Sequence, residues 1–109
     1  MPADYLGEFE QMVLLTIMRL EDEAYGLAVR EELQRVGGRL PSSGALYTTL
    51  DRMERKGLVE SRPGEATSAR GGRPRRYVGL TPMGMAALQR SREALLRLWD
   101  GLEASLDVR

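Results

Sequence analysis

The sequence of 109 residues contains no cysteine and no histidine. Disulfide bonds, zinc sites built on these residues, cysteine nucleophiles and histidine general bases are therefore excluded together. Neither a pair of carboxylates at an evident concave site nor a glycine-rich phosphate loop following a strand takes their place. These absences predict a protein that is not an enzyme and that uses no metal or other cofactor.

Long apolar segments are also lacking. The sequence has no run of about eighteen apolar residues, the length that would indicate a transmembrane helix. Its first ten residues, MPADYLGEFE, are acidic, which is the wrong sign for a secretory signal peptide. We therefore expect a cytoplasmic protein of one modest domain, whose core two chains could share.

The net charge is zero, but the charges are unevenly distributed along the chain. Residues 1–36 carry eight acidic and three basic side chains, whereas residues 62–76 carry five arginines and one glutamate. The average therefore hides a basic segment in the middle of the chain. Such a cluster is either a solvated loop or the contact surface for an anionic partner, and its small number of acids favours the partner.

The segment 41–58, PSSGALYTTLDRMERKGL, predicts a helix with its own start and stop signals. Ser42 or Ser43 can cap the first turn, and Gly57 can adopt the left-handed conformation that ends a helix. Leu46, Leu50 and Met53 recur at helical spacing and predict the buried face. The opposite face is small and polar at first and basic later, with Ala45, Thr48, Thr49, Arg52 and Lys56. Alone, this segment fits a helix that enters a DNA major groove or an ordinary amphipathic helix.

Two more helices are predicted before this segment, at residues 5–20 and 24–36. The first is apolar on more than one side, because Met12, Leu15 and Met18 widen its apolar surface, and we expect it to contact a second protomer. Two glycines at 37–38 and Pro41 separate the second helix from the third. Two helices joined by a short turn that contains glycine predict a helix-turn-helix unit.

A β-hairpin is expected next, with strands at 58–62 and 76–80 and a long tip at 63–74. The tip and second strand hold four arginines at 70, 73, 75 and 76. A basic hairpin directly after a helix-turn-helix is typical of a winged helix, in which the hairpin contacts the DNA backbone or the minor groove.

Thr81 and Pro82 then predict the start of a last helix, as its N-cap and first residue. A heptad seam follows, interrupted by Arg92, at Met85, Leu88, Arg92, Leu95, Trp99, Leu102 and Leu106. A helix of about 25 residues would span roughly 35–40 Å, more than its own domain can cover, which favours packing against a second chain. Trp99 then lies in the dimer core or, in a sharper hypothesis, lines a pocket for a flat ligand.

The order and spacing of these features resemble the PadR-like transcriptional regulators, specifically their short members with one C-terminal helix. The resemblance covers about residues 5 to 90. The matching residues are Tyr25-Gly26, Gly38-Arg39-Leu40, Ser43-Gly44-Ala45-Leu46-Tyr47, Leu50, Arg52-Met53-Glu54, Gly57-Leu58-Val59, Gly72-Arg73-Pro74-Arg75-Arg76-Tyr77 and Leu80-Thr81-Pro82-Met83-Gly84.

The resemblance implies a homodimeric winged-helix repressor that binds a palindromic operator and is released by a small aromatic or hydrophobic effector. Two departures concern the site. The family often has proline after the tyrosine of the third helix, where this chain has Thr48, and the last helix diverges, so the effector cannot be transferred.

We therefore predict a mainly α fold with a small β-hairpin (α+β), with a winged helix-turn-helix at 1–80 and a dimerisation helix at 81–109 that packs with the first helix. The predicted function is a sequence-specific DNA-binding regulator; the alternative is a protein-interaction module that does not bind DNA. The DNA-binding residues are predicted to be Ser42, Ser43, Tyr47, Thr48, Arg52, Lys56, Arg73, Arg75 and Arg76. The dimer interface is predicted to contain Leu6, Phe9, Leu88, Leu95, Trp99, Leu102 and Leu106, with Trp99 also at the ligand site.

Overall fold

A computed structural model describes residues 5–66 and 74–106. In these ranges the chain forms α1 (Glu8–Leu20), α2 (Gly26–Gly37), α3 (Ser43–Arg55), β1 (Val59–Ala66), β2 (Pro74–Leu80) and α4 (Pro82–Trp99). Single 3-10 turns at Glu21–Glu23 and Glu103–Leu106 follow α1 and α4. The predicted fold class, a winged helix-turn-helix with a C-terminal helix, is confirmed.

The hydrophobic core lies between α1, α2 and α3 and is closed by the hairpin and the start of α4. Each of the first three helices buries one apolar face, as the periodicity predicts. Of α4, only the first half reaches this core, through Gly84, Ala87 and Leu88. The largest fully buried side chains are Val13, Leu14, Ile17, Val29, Leu33, Leu46, Leu50 and Met53.

The helix-turn-helix has the stop signals that the sequence predicts. Gly38, at φ 70°, ends α2, and its N–H donates to the Gln34 carbonyl. Ser42 caps α3, because its Oγ accepts from the Ala45 N–H at 3.0 Å. Gly57, at φ 80°, follows the end of α3, so both helix ends use a conformation that favours glycine.

Thr49 corrects one detail of the predicted α3. The sequence pattern placed it on the polar face, but its side chain is buried beside Leu46, Leu50 and Met53. It lies one position before Leu50, at the edge of the buried face, where a small hydroxyl residue fits.

The two strands pair antiparallel, from Val59 opposite Leu80 to Pro63 opposite Arg76. They are longer than predicted, because pairing resumes between Ala66 and Pro74 after an irregularity in the register. The predicted tip at 63–74 was therefore too long, and what is left of it, residues 67–73 with Arg70 and Arg73, lies outside the described residues.

The α4 helix ends earlier than the heptad pattern predicts. It stops at Trp99, because Asp100 leaves the helical region at φ −53° and ψ 122°. Its 18 residues span about 27 Å. Leu102 and Leu106 therefore do not continue the seam. Leu102 lies in the turn directly after the helix, and Leu106 ends the 3-10 turn at Glu103–Leu106. The Asp-Gly pair at 100–101 is a turn signal that the heptad pattern masked.

No helix within residues 5–66 and 74–106 is both long and apolar enough to cross a bilayer.

Candidate nucleic-acid interface

The surface of α3 that points away from the core is a stripe of four residues, which we call the outer face: Gly44, Thr48, Asp51 and Arg55. All four are exposed and lie at intervals of four, three and four residues, opposite the buried leucines. Thr48 was predicted as a site residue; Arg55 was not, although the same spacing applied to the sequence would have found it. Among the described residues, no carboxylate is within ion-pair distance of Arg55.

The two predicted serines have different roles at the start of α3. The Ser42 hydroxyl accepts the Ala45 N–H and so belongs to the helix cap. Ser43 is the first residue of the helix and is exposed. Of the two, only Ser43 therefore has a hydroxyl that no helix cap engages.

Tyr47, another predicted site residue, packs over the beginning of α2. A Cβ on Gly26 would collide with the Tyr47 hydroxyl and ring, so this glycine is what allows the two helices to approach. Tyr47 is still partly exposed, at the edge of the outer face. Arg30, which the sequence did not single out, fixes the same turn, because its Nε donates to the Pro41 carbonyl at 2.6 Å.

Arg52 and Lys56 form ion pairs with Glu10 of α1, which is nearly buried. Arg52 Nε lies 3.2 Å and Lys56 Nζ 3.5 Å from Glu10 Oε2, and the Gly7 N–H donates to Oε1 at 2.9 Å. Burial of the Glu10 carboxyl raises its pKa, but the Gly7 and Arg52 hydrogen bonds and the nearby positive charges outweigh burial, so the pKa falls below 4.5. This cluster links α1 directly to α3.

We expect Glu10→Gln to lower the free energy of unfolding at pH 7 by roughly 1–2 kcal/mol, because two cations lose their counter-charge. A lowered folded-state pKa stabilises the fold above the unfolded value of 4.5, and that contribution is lost as the pH falls through the folded pKa. Urea unfolding of both proteins between pH 7 and pH 3 should therefore show the difference shrinking toward acid pH. A difference that stays constant or grows over this range contradicts the assignment.

Arg76 joins the hairpin to α3. Its guanidinium lies 3.0 Å from Asp51 Oδ1 and 2.6 Å from Glu54 Oε1, and its Nε donates to Ser61 Oγ at 2.9 Å. Arg76, predicted to bind DNA, therefore holds the wing against α3. It also offsets the negative charge of two acids that would otherwise face an anionic partner.

Arg75 lies on the opposite side of the hairpin, in a stack of aromatic and guanidinium groups. Its guanidinium is 4.1 Å from the Tyr25 ring centroid, and a hydrogen bond with Tyr77 raises its pKa. The Tyr25 and Tyr77 rings pack edge to face with their centroids 5.6 Å apart. The Arg62 guanidinium carbon lies 4.8 Å from the Tyr77 ring centroid. The stack joins the wing to the start of α2. Arg73, the remaining wing arginine predicted to bind DNA, lies outside the described residues.

The other predicted surface, on α1 and α4, divides into a buried and an exposed part. Leu6 and Leu88 are only 7% and 8% exposed and belong to the core of the protomer itself, and Phe9 is partly covered by Arg39 at 4.6 Å. Leu95, Trp99, Leu102 and Leu106 are exposed, with 47% for Leu95 and 38% for Trp99.

An open apolar groove of about 650 Å³ runs between α1 and α4 in the protomer. Its apolar lining includes Leu15 and Met18 of α1, which were expected to face a second protomer but were left out of the predicted interface set. The groove brings them together with Trp99. Its lining residues are Gln11, Leu15, Met18, Met85, Leu88, Gln89, Arg92, Leu95, Leu96 and Trp99.

The described geometry combines a capped helix with an exposed outer face, a wing fixed beside it and an uncovered apolar helix pair. Residues 14–90 match the model of the transcriptional regulator PadR-like family. The chain belongs to the PadR-like family. The matched residues cover the helix-turn-helix, the wing and the start of α4. Membership of the family confirms the resemblance seen in the sequence and the expectation that the chain is not an enzyme.

Proteins that are similar to this chain are also described as transcriptional regulators. The transcriptional regulator Rv3488 of Mycobacterium tuberculosis (strain ATCC 25618 / H37Rv) is 41% identical over 78 residues, which cover 72% of this chain and 68% of that protein. A PadR-like transcriptional regulator (BC4206) from Bacillus cereus is 25% identical, with 93% of each chain covered and a TM-score of 0.71. A PadR family regulator from Eggerthella lenta is 28% identical, covering 94% of this chain and 88% of that one, with a TM-score of 0.69. This PadR-like chain is a transcriptional regulator.

Proposed function

We propose that the chain acts as a homodimeric repressor that binds an inverted-repeat DNA operator. The observation that carries the proposal is the apolar surface of α1 and α4. Leu15, Leu95 and Trp99 lie uncovered around one groove, and α4 contacts its own core only through its first half. A second copy that lays its α4 against this surface removes it from water.

In the proposed complex, the start of α3 enters the major groove. Ser43 and Thr48 contact base edges, with Tyr47 at the edge of the contact and Ser42 holding the helix end. Arg55 extends the outer face toward the next phosphates. Arg73 and Arg75 add positive charge to the wing, which we expect to lie along the DNA backbone.

Arg52, Lys56 and Arg76 take a double role in this proposal. The side chains of Arg52 and Lys56 remain 42% and 40% exposed despite their ion pairs with Glu10, so both stay within reach of phosphates. Arg76 is 34% exposed and is held by two acids of α3. Because these partners fix their positions, the three cations arrive at DNA already ordered.

In a gel-retardation assay, the purified protein should retard a DNA duplex that carries its operator. The operator is obtained by selection from random DNA or from the protein's own upstream region. If each protomer neutralises about three to five phosphates, log K should fall against log salt with a slope of roughly −5 to −9 for the dimer. Arg75→Ala should weaken binding to all sequences alike, whereas Thr48→Ala should change the preference among sequences. Binding that hardly varies with salt would rule out the phosphate contacts.

A small aromatic or hydrophobic effector is the proposed regulator of this complex. In the protomer, the groove beside Trp99 has a volume in the range of ligand sites and an apolar lining, and in the proposed dimer the ligand would lie there between the C-terminal helices of the two copies. A ligand there changes DNA affinity only if it binds the DNA-fitting and non-fitting dimers differently. Titration of flat aromatic compounds should change the Trp99 fluorescence and lower DNA affinity; no response from a broad panel would remove the effector but not the repressor.

The second candidate function is a protein-interaction module, favoured by the acidic first third of the chain. The same retardation assay separates the two. A dimer that binds no duplex under low-salt conditions, with its own upstream region included, would support the interaction module.

A further inference from the structure

Gly44, the second residue of α3, has no structural reason to be glycine. It is exposed on the outer face, and a Cβ built there meets no atom within 4 Å. Its backbone is helical, without the positive φ that favours glycine at Gly38 and Gly57. Glycine is among the residues least compatible with a helix, so the fold alone would be more stable with alanine at this position.

Two other helical glycines, Gly26 and Gly84, are explained by packing. A Cβ on Gly26 would collide with Tyr47, and one on Gly84 would collide with the Leu58 carbonyl. The helix cap does not explain Gly44 either, because Ser42 supplies the cap. What Gly44 provides is therefore the absence of a side chain on an exposed surface, which lets another molecule approach the backbone.

We infer that Gly44 is the point at which the α3 backbone comes closest to DNA. The inference rests on the proposed function. Gly44 lies four residues before Thr48 on the outer face, in the first turn, which is the end of a recognition helix that meets base edges. A methyl group there would hold the helix away from the groove and lengthen the contacts of Ser43 and Thr48. Gly44 is thus a positioning residue for DNA binding.

The test is a substitution whose effects on stability and on binding have opposite signs. Gly44→Ala should raise the thermal midpoint by about 2–6 °C. It should nevertheless weaken binding to the selected operator about tenfold or more, measured by anisotropy of a labelled duplex. Gly44→Leu, with a larger side chain at the same place, should weaken binding further, by roughly 100-fold. Light scattering of each variant checks that its oligomeric state matches the wild type.

Gly79→Ala is the matched control, because a Cβ on Gly79 in β2 also meets no atom within 4 Å and lies off the outer face. It should leave operator affinity unchanged. Wild-type affinity in Gly44→Ala, or a fall in its thermal midpoint, would overturn the inference while leaving the proposed function intact. A wild-type chain that binds no DNA would overturn the proposed function, and the inference with it.

Discussion

Gly84→Ala is expected to lower the free energy of unfolding by about 3 kcal/mol, the largest effect of any single methyl group that we predict. Gly84 is buried at the start of α4, and a Cβ there would lie well inside van der Waals contact with the Leu58 carbonyl oxygen and 3.0 Å from its carbon. These are backbone atoms, so they cannot rotate away as a side chain can. The same carbonyl accepts the Thr81 N–H at 3.1 Å, which ties it further in place.

The result would also separate two kinds of glycine in one chain. Urea unfolding at fixed protein concentration should show Gly84→Ala destabilised and Gly44→Ala, with open space around its Cβ, stabilised. A loss from Gly84→Ala smaller than about 0.5 kcal/mol, the range of ordinary surface substitutions, would mean that α4 shifts freely on the Leu58 backbone. If α4 packs so loosely, a structural change in α4 could not be transmitted to α3.

Local signals made the helix-turn-helix predictable. Ser42 and Gly57 act within one turn of their own positions, and the apolar spacing of Leu46, Leu50 and Met53 depends only on helix geometry. For the same reason, the hairpin after α3 could be expected from its turn residues and arginines. Where the sequence misled, a second local signal competed with the first, as the Asp-Gly turn at 100–101 did with the heptad seam.

The partners of the cations could not be predicted in this way. Arg52 and Lys56 pair with Glu10, which is 42 and 46 residues away in sequence, and Arg76 pairs with Asp51 across 25 residues. Each pairing depends on how α1 or the wing crosses α3, a property of the folded chain and not of any segment. A basic face predicted from the sequence therefore proves to be partly neutralised by its own protomer.

In the proposed dimer, these ion pairs would connect the interface to the DNA contacts. Glu10 lies on α1, one turn before Leu14 in the core, and it holds Arg52 and Lys56 of α3. Leu15, on the same helix, lines the groove. A shift of α1 against a partner's α4 would therefore move the cations that are proposed to contact DNA. In a symmetric dimer both copies would shift alike, so the distance between the two recognition helices would change.

Leu95→Glu is expected to convert the proposed dimer into monomers and to weaken operator binding by roughly 10²–10⁴-fold. A dimer holds its second recognition helix at the second half-site at high effective concentration, and a monomer loses this advantage entirely. Leu95 is half exposed in the protomer, so a carboxylate there is solvated in the monomer and loses water only when a second chain covers it. Folding should therefore survive while association does not.

Two companion variants make the result specific. Leu15→Glu places the same charge on α1, across the groove, and should give the same monomer and the same loss of affinity if the two helices form one interface. Ala86→Glu adds an identical charge to an exposed position of α4 that does not line the groove, and should leave both mass and affinity unchanged. Light scattering and anisotropy at matched concentrations report the two quantities separately. If Leu95→Glu is monomeric yet binds the full operator with wild-type affinity, the affinity of the regulator for DNA does not depend on paired recognition helices. If the variant remains dimeric, the interface lies on another face.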